Sequence, residues 1–378
     1  RVAEAVSRIS GSMKYPGVSL GLNSGSQQSR LSFLNFQKIE IESHSLTLGS
    51  QWEVDLWGRL RATHASGLAQ LEAAVSDVEA MKLSLAGQVA HSWFNLLEAD
   101  RQLQLATDSA QSFSSKVASL ERRYERGLVT SLDLRLTRAQ SASSQALVTR
   151  RKTTLAAAKR SLETLLGRYP SASQSSEQAL PDIDSPIPAD LSSLLVARRP
   201  DLNAAERRLA AALAQNESMS RNWLPQIRLT GSLGTTSDEF AELLQTDLSV
   251  WSIAGDLAAP LFNAGRLKAE RDQSQAIAEV QLAQYRKAVL GAFQEVENAL
   301  SAESDLGQLQ GDMAIAAEEN QKAEGLAWEQ YQRGLIDITT LLDAQRRSDE
   351  TASQLISVQN QRLQNRVQLH LALGGDFE

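Results

Sequence analysis

The sequence holds side chains that catalysis uses, but not at the spacings catalysis needs. Its four histidines, His44, His64, His91 and His370, are scattered and make no metal-ligand pattern. There is no cysteine, which excludes disulfides, thiolate metal sites and a cysteine nucleophile. No phosphate-binding loop and no nucleophile elbow is found. Glu295 and Glu297 pair two apart inside a helical run, where solvation accounts for them better than acid–base work. Asp343 and Arg346 are three apart on a predicted helix, so they share a face and suit an ion pair. No enzyme, cofactor or metal is expected.

Composition narrows the class. Charged residues make up 22% and hydrophobic residues 42% of the 378, so the chain is not disordered. A net charge of −7 argues against a nucleic-acid partner. No stretch approaches 18 uncharged apolar residues, so no membrane-crossing helix is predicted, although barrel strands carry a weaker signal. The opening "RVAEAVSRIS" reads as the middle of a helix, with no signal peptide. An upstream piece is therefore expected.

The elements come in two copies. "YERGLVTSLDLR" begins at Tyr124 and "YQRGLIDITTLL" at Tyr331, 207 positions on. The same offset aligns "WGRLRA" (57–62) with "AGRLKA" (264–269), Gly127 with Gly334 and Gly167 with Gly374. "KYPGVSLGL" (14–22) meets "WLPQIRLTG" (223–231) after a slip of two. The eight prolines leave 17–169 and everything after Pro260 free for long helices.

These signals predict a first repeat over 1–170, a linker over 171–200 containing "PDIDSPIPAD", and a second repeat over 201–378. The first holds a helix end, a strand pair within 15–57, a long helix over 59–125 and a helix over 131–166. The second holds a helix over 201–222, a strand pair within 225–262, a long helix over 266–332 and a helix over 338–373. A helix over 59–125 would be roughly 100 Å long and must lie against partners. Leu68, Leu71, Val75, Val78, Leu85, Val89 and Leu96 repeat in a heptad, which predicts a coiled-coil seam.

The paired extended segments alternate with period two. Leu46, Leu48, Trp52, Val54 and Leu56 lie on one face, against Thr47, Gln51, Glu53 and Asp55 on the other. In the second copy Trp251, Ile253, Leu257 and Leu261 oppose Ser252, Ala254, Asp256 and Ala258. Nine to eleven residues is about the length of a tilted membrane-spanning strand. Trp52, Trp57, Trp223 and Trp251 lie in or beside these strands, as an interfacial belt or as the buried tryptophans of a water-soluble sheet. The polar stretches 23–43 and 235–247 read as long outer loops. Four strands cannot close a barrel in lipid, so several chains would have to complete it.

At this point the chain resembles the TolC-like outer-membrane efflux channels of Gram-negative bacteria, in particular their lipoprotein, NodT-like drug-efflux branch. The residues that carry this are "WEVDLWGRLRA" (52–62), "YERGLVTSLDL" (124–134), "RRPDLNAAERRLAAA" (198–212), "LPQIRLTGSLGT" (224–235), "APLFNAGRLKAERD" (259–272), "AFQEVENAL" (292–300), "YQRGLIDITTLLDAQR" (331–346) and "LALGG" (371–375). They keep the family's order over nearly the whole chain. The resemblance implies a mainly α protein with transmembrane β: a homotrimer whose twelve-stranded barrel, four strands per chain, continues into a twelve-helix periplasmic tunnel. It implies a passive, gated exit duct in a tripartite efflux system for drugs or other small toxic compounds. An inner-membrane pump of the RND type would drive it through a periplasmic adaptor, with outer-membrane lipid around the barrel. The lipid-anchoring cysteine of that branch is not in this sequence.

The resemblance also assigns residues. Gly127, Leu128, Gly334 and Leu335 would form the adaptor-contacting turns, with an ordinary helix C-cap as the plainer reading. Asp343 and Arg346 would line the periplasmic gate, with a solvated ion pair as the plainer reading. Thr340 stands where some members carry a further aspartate. Asp133 takes no assigned role. Thr47, Gln51 and Asp256 would face the lumen, and Leu46, Trp52 and Ile253 lipid. Two rivals stay open: a channel of the same build for type I protein secretion, and a soluble long-helix scaffold.

Overall fold

The computed structural model describes residues 1–30, 38–174, 179–183, 198–245, 247 and 249–375. Most of the expected linker over 171–200 lies outside the described residues. Helices α1 (Val2–Ser12), α2 (Arg59–Glu125), α3 (Ser131–Leu165), α4 (Pro200–Ser220), α5 (Arg266–Gln332) and α6 (Ile338–Ala372) alternate with strands β1 (Gly17–Arg30), β2 (Lys38–Val54), β3 (Gln226–Ser237) and β4 (Ser249–Ala258). Pro200 opens α4, where its missing N–H has no partner to lose.

The chain divides into two compact units, each drawing on both sequence copies. The first unit comprises Arg1–Val78 and Pro200–Val289. Its strands form one antiparallel sheet in the order β1-β2-β3-β4. The stretch 23–43, expected as a loop, is largely strand: β1 and β2 stay in register out to Arg30 opposite Lys38. Their polar side chains bond across the ladder, as Ser26 donates to Glu40 at 3.0 Å, so hydration does not end the hairpin. The stretch 235–247 ends β3 and then turns, with Phe240–Glu242 in a 3-10 turn.

Small residues join α2 to α1 in this unit. Ser7, Ser10, Ser66, Ala69 and Ala73 are buried. A Cβ on Gly67 would lie 2.5 Å from Ser10 Oγ, so any other residue there would force the Ser10 hydroxyl to turn away. The heptad expectation is corrected in part. Leu68, Val75, Val78 and Leu85 are exposed. In this stretch the alanine, serine and glycine positions pack within the chain and the larger residues face away, while Val89 and Leu96 of the same heptad pack inward further along α2.

The second unit comprises Glu79–Arg199 and Leu290–Glu378. Two of the seams that hold it are of opposite character. Between α2 and α3 the seam is apolar, with Leu96, Ala99, Leu155 and Leu162 in one cluster and Ala106, Ala110 and Val148 in the next. Each such leucine contributes about 1.5–3 kcal/mol by burial. Between α2 and α6 the seam is polar. Asn360 donates to Asn95 at 3.0 Å and Glu98 at 2.6 Å. Gln102 and Ser353 exchange two hydrogen bonds of 2.9 and 2.8 Å, and Ser109 donates to Asp349 at 2.7 Å.

Candidate functional site

The two glycine turns are built alike. At the end of α2 the Gly127 N–H donates to Tyr124 O (2.8 Å) and the Leu128 N–H to Arg123 O (2.9 Å). At the end of α5 the Gly334 N–H donates to Tyr331 O and the Leu335 N–H to Gln330 O, both at 3.0 Å. This pair of bonds is the Schellman closure, which needs a left-handed residue. Gly127 and Gly334 supply it with φ of 71° and 74°. A Schellman turn usually buries the residue after the glycine against its own helix. Here Leu128 and Leu335 are 63% and 69% exposed, so each turn presents a free leucine.

The chain restarts at once into the next helix. Thr130 caps α3 in a reciprocal box with Asp133, at 3.2 Å and 3.1 Å. Asp337 caps α6, accepting from the Thr340 N–H at 2.8 Å and the Thr339 hydroxyl at 2.9 Å. The carboxylate has moved from the fourth position of one turn to the first of the other. That gives Asp133 a structural role, and it explains Thr340. Beneath the turns Leu120, Leu134, Ala327, Tyr331, Ile338 and Leu341 form one buried cluster, and Arg123 donates to Gln332 O at 3.2 Å. The two turns are thereby fixed side by side.

One turn of helix further on, Asp343 and Arg346 meet at 2.8 Å. Arg347 also donates to Asp343, at 2.9 Å, and Arg346 reaches Glu350 at 3.4 Å. These groups are exposed, and hydrogen bonds from Arg346 and Arg347 hold the Asp343 carboxyl below its ordinary value. Nearby, Lys116 is buried, donating to Gln345 at 2.7 Å and Glu324 at 3.1 Å, with its ammonium 5.5 Å from the Trp328 ring centre. Burial, helped by Glu324, pushes the Asp349 carboxyl up. Arg347 and Lys116 escaped the sequence reading because their partners sit on charge-rich helix faces, where any arginine or lysine reads as solvated.

In the first unit, register sorts the strand residues by face, since directly paired residues point the same way. Leu20, Leu48, Leu233 and Trp251 form one row across all four strands, and Val18, Ser50, Gly231 and Ile253 the next. Trp52 with Leu229, and Val54 with Ile227 and Leu257, continue the same face, while Leu22 and Leu46 bound it above. Beyond them this face carries Ser24, His44, Ser26 and Glu42. From Val54 to Leu46 the apolar band runs about 27 Å along the strand. Thr47, Gln51 and Asp256 lie on the opposite face. The band is uncovered: Val18, Leu20, Ile253 and Leu257 are each at least two-thirds exposed. Both outer strands, β1 and β4, are sheet edges.

The four tryptophans are placed unequally. Trp251 stands on the apolar face and is 74% exposed. Trp52 shares that face, and its indole N–H donates to Lys14 O at 2.9 Å. Trp57 and Trp223 lie outside the strands, and the Trp57 indole donates to Pro225 O at 2.6 Å.

Among the described residues, no group of three His, Cys, Asp or Glu could hold a metal, and no helix is long and apolar enough to cross a membrane. Relatives share this build. The pyoverdine export outer membrane protein OpmQ of Pseudomonas putida is 31% identical over 386 residues, covering 100% of this chain and 82% of its own. The cation efflux system protein CusC of Escherichia coli is 28% identical, covering 99% and 81%. Among solved structures, the outer-membrane channel OprN superposes with a TM-score of 0.94 at 26% identity, covering 100% of this chain and 85% of that one. The open state of the MtrE outer membrane channel of Neisseria gonorrhoeae gives 0.87 at 28%, covering 99% and 84%. The sequence matches the outer membrane efflux protein family over residues 1–168 and 191–375, and with that match joined to the four-stranded wall and paired helix turns, the chain belongs to this family of outer-membrane channels.

Proposed function

We propose that three copies of this chain assemble into one outer-membrane duct for small molecules, fed by an inner-membrane pump through a periplasmic adaptor. The observation that carries the reading is the sheet: one continuous apolar face, bounded above by polar rows and left with two open edges. Open edges are not tolerated in lipid, so other copies must pair with β1 and β4. Two copies would give eight strands, a barrel that side chains fill; three give twelve and leave a passage. A water-soluble scaffold would not expose such a face. The relatives named for toluene efflux, pyoverdine export and cation efflux favour small cargo over secreted protein.

Within that duct Asp343 and Arg346, joined by Arg347, act at the periplasmic gate. Gly127–Leu128 and Gly334–Leu335 offer the adaptor two exposed leucines per chain on rigid turns. Trp52, Trp57, Trp223 and Trp251 supply interfacial aromatics. Sizing in detergent is expected to give three times the chain mass, and a monomer there refutes the assembly. In planar bilayers Asp343→Ala with Arg346→Ala is expected to raise conductance severalfold; unchanged conductance removes the gate.

A further inference from the structure

We propose that Arg228 and Asp256 form a charge-selecting row on the inner face of the strand wall, with Arg228 the contact for carboxylate or phosphate groups on solutes passing it. The proposal rests on the channel reading above. From Asn23 and Ser45 down to the strand ends, the face opposite the apolar band carries only Gly, Ser, Thr, Asn, Gln, Ala and Val, apart from three ionisable residues. Those three, Glu53, Arg228 and Asp256, fall in one row. Glu53 is opposite Arg228 on β2 and β3, and Arg228 is opposite Asp256 on β3 and β4.

A cross-strand ion ladder would be the structural reason for opposite charges in one row. The geometry does not form it. Arg59, the first residue of α2, holds both oxygens of Glu53, at 2.7 and 2.8 Å. Arg228 and Asp256 are exposed, and neither side chain makes a hydrogen bond or an ion pair among the described residues. Their neighbours on this face, Thr230, Ser252 and Ala254, are short and uncharged. The guanidinium therefore stands free on the longest stem in the row, a planar fork that matches carboxylate and phosphate oxygens two at a time. In a closed wall each copy repeats it at one level, and a low-dielectric rim focuses the field there.

The test is the reversal potential of the reconstituted full chain in a tenfold KCl gradient, in the Asp343→Ala/Arg346→Ala background so that the periplasmic constriction does not dominate. Detergent sizing checks that each variant assembles. Arg228→Ala is expected to move the permeability ratio toward K⁺ by about two- to fourfold, and Asp256→Asn toward Cl⁻ by a similar factor. Arg228→Lys is expected to keep the ratio but lose block of the current by millimolar inorganic phosphate. Channels that conduct with an unchanged ratio in both Arg228→Ala and Asp256→Asn overturn the proposal alone. A parent protein that forms no channel overturns the duct itself, and this proposal with it.

Discussion

At the residue scale, the turns and the half-buried carboxylate of Asp349 make the clearest predictions. Gly127 and Gly334 hold left-handed φ, and a Cβ on either would meet nothing within 4 Å. Gly127→Ala therefore adds backbone strain without a clash. It is expected to lower stability by about 1 kcal/mol, with Gly127→Asn less harmful because asparagine tolerates that region. Thermal melts in detergent measure both, and an alanine variant as stable as the parent would contradict the Schellman reading. Asp349 has a folded pKa above the ordinary value of 3.8. Its proton-bound form favours the fold, so its contribution is full below pH 3.8 and is lost as pH rises through the raised value. Asp349→Asn should match the parent in acid and exceed it at pH 7. Melting curves across pH 3–8 that stay parallel would show that Asp349 is not buried in the assembled protein.

At the element scale, much was legible and two features were not. The ends of α2 and α5 show in the sequence because a single glycine, repeated at one offset, interrupts long proline-free runs. The heptad of α2 shows too, but periodicity reports that a stripe exists, not which neighbour it meets. Gly67 faces α1 because its missing side chain lets α1 and α2 close up, Ala69 and Ala73 are buried, and Leu68, Val75, Val78 and Leu85 are left outside. The polar seam of α2 and α6 was invisible for another reason. Asn95, Glu98 and Gln102 meet partners more than 250 positions away, and alone they look like a solvated face. If the outer stripe is where neighbouring chains meet, Val75→Asp with Val78→Asp should leave each chain folded and abolish the trimer. A trimer that survives in detergent sizing would place the interface elsewhere.

At the scale of the whole molecule, the strand wall sets the demand on its surroundings. Alternation was readable from Leu46–Leu56, but the continuity of the face was not, because register across four strands decides it. Val18 and Ile253 lie mid-band in one row. Arginine at either is expected to cost about 2–4 kcal/mol for insertion, against roughly 0–1 kcal/mol for Leu22→Arg at the band's edge. Urea titrations of folding into phosphatidylcholine vesicles would show the contrast, and equal costs at the two depths would argue against lipid on this face.

The exchanged capping residues have a consequence for the gene. Thr130 and Asp133 cap one helix reciprocally, whereas at its counterpart the carboxylate stands first and Asp337 caps alone, through the Thr340 N–H. A recombination event that carried over only the first residue of one turn would pair threonine with threonine or aspartate with aspartate. The former strips the carboxylate from the helix start, and the latter crowds two there. The two halves thus satisfy their helix starts with the carboxylate at opposite ends of the same turn, so each turn requires the pair of positions and not either residue alone.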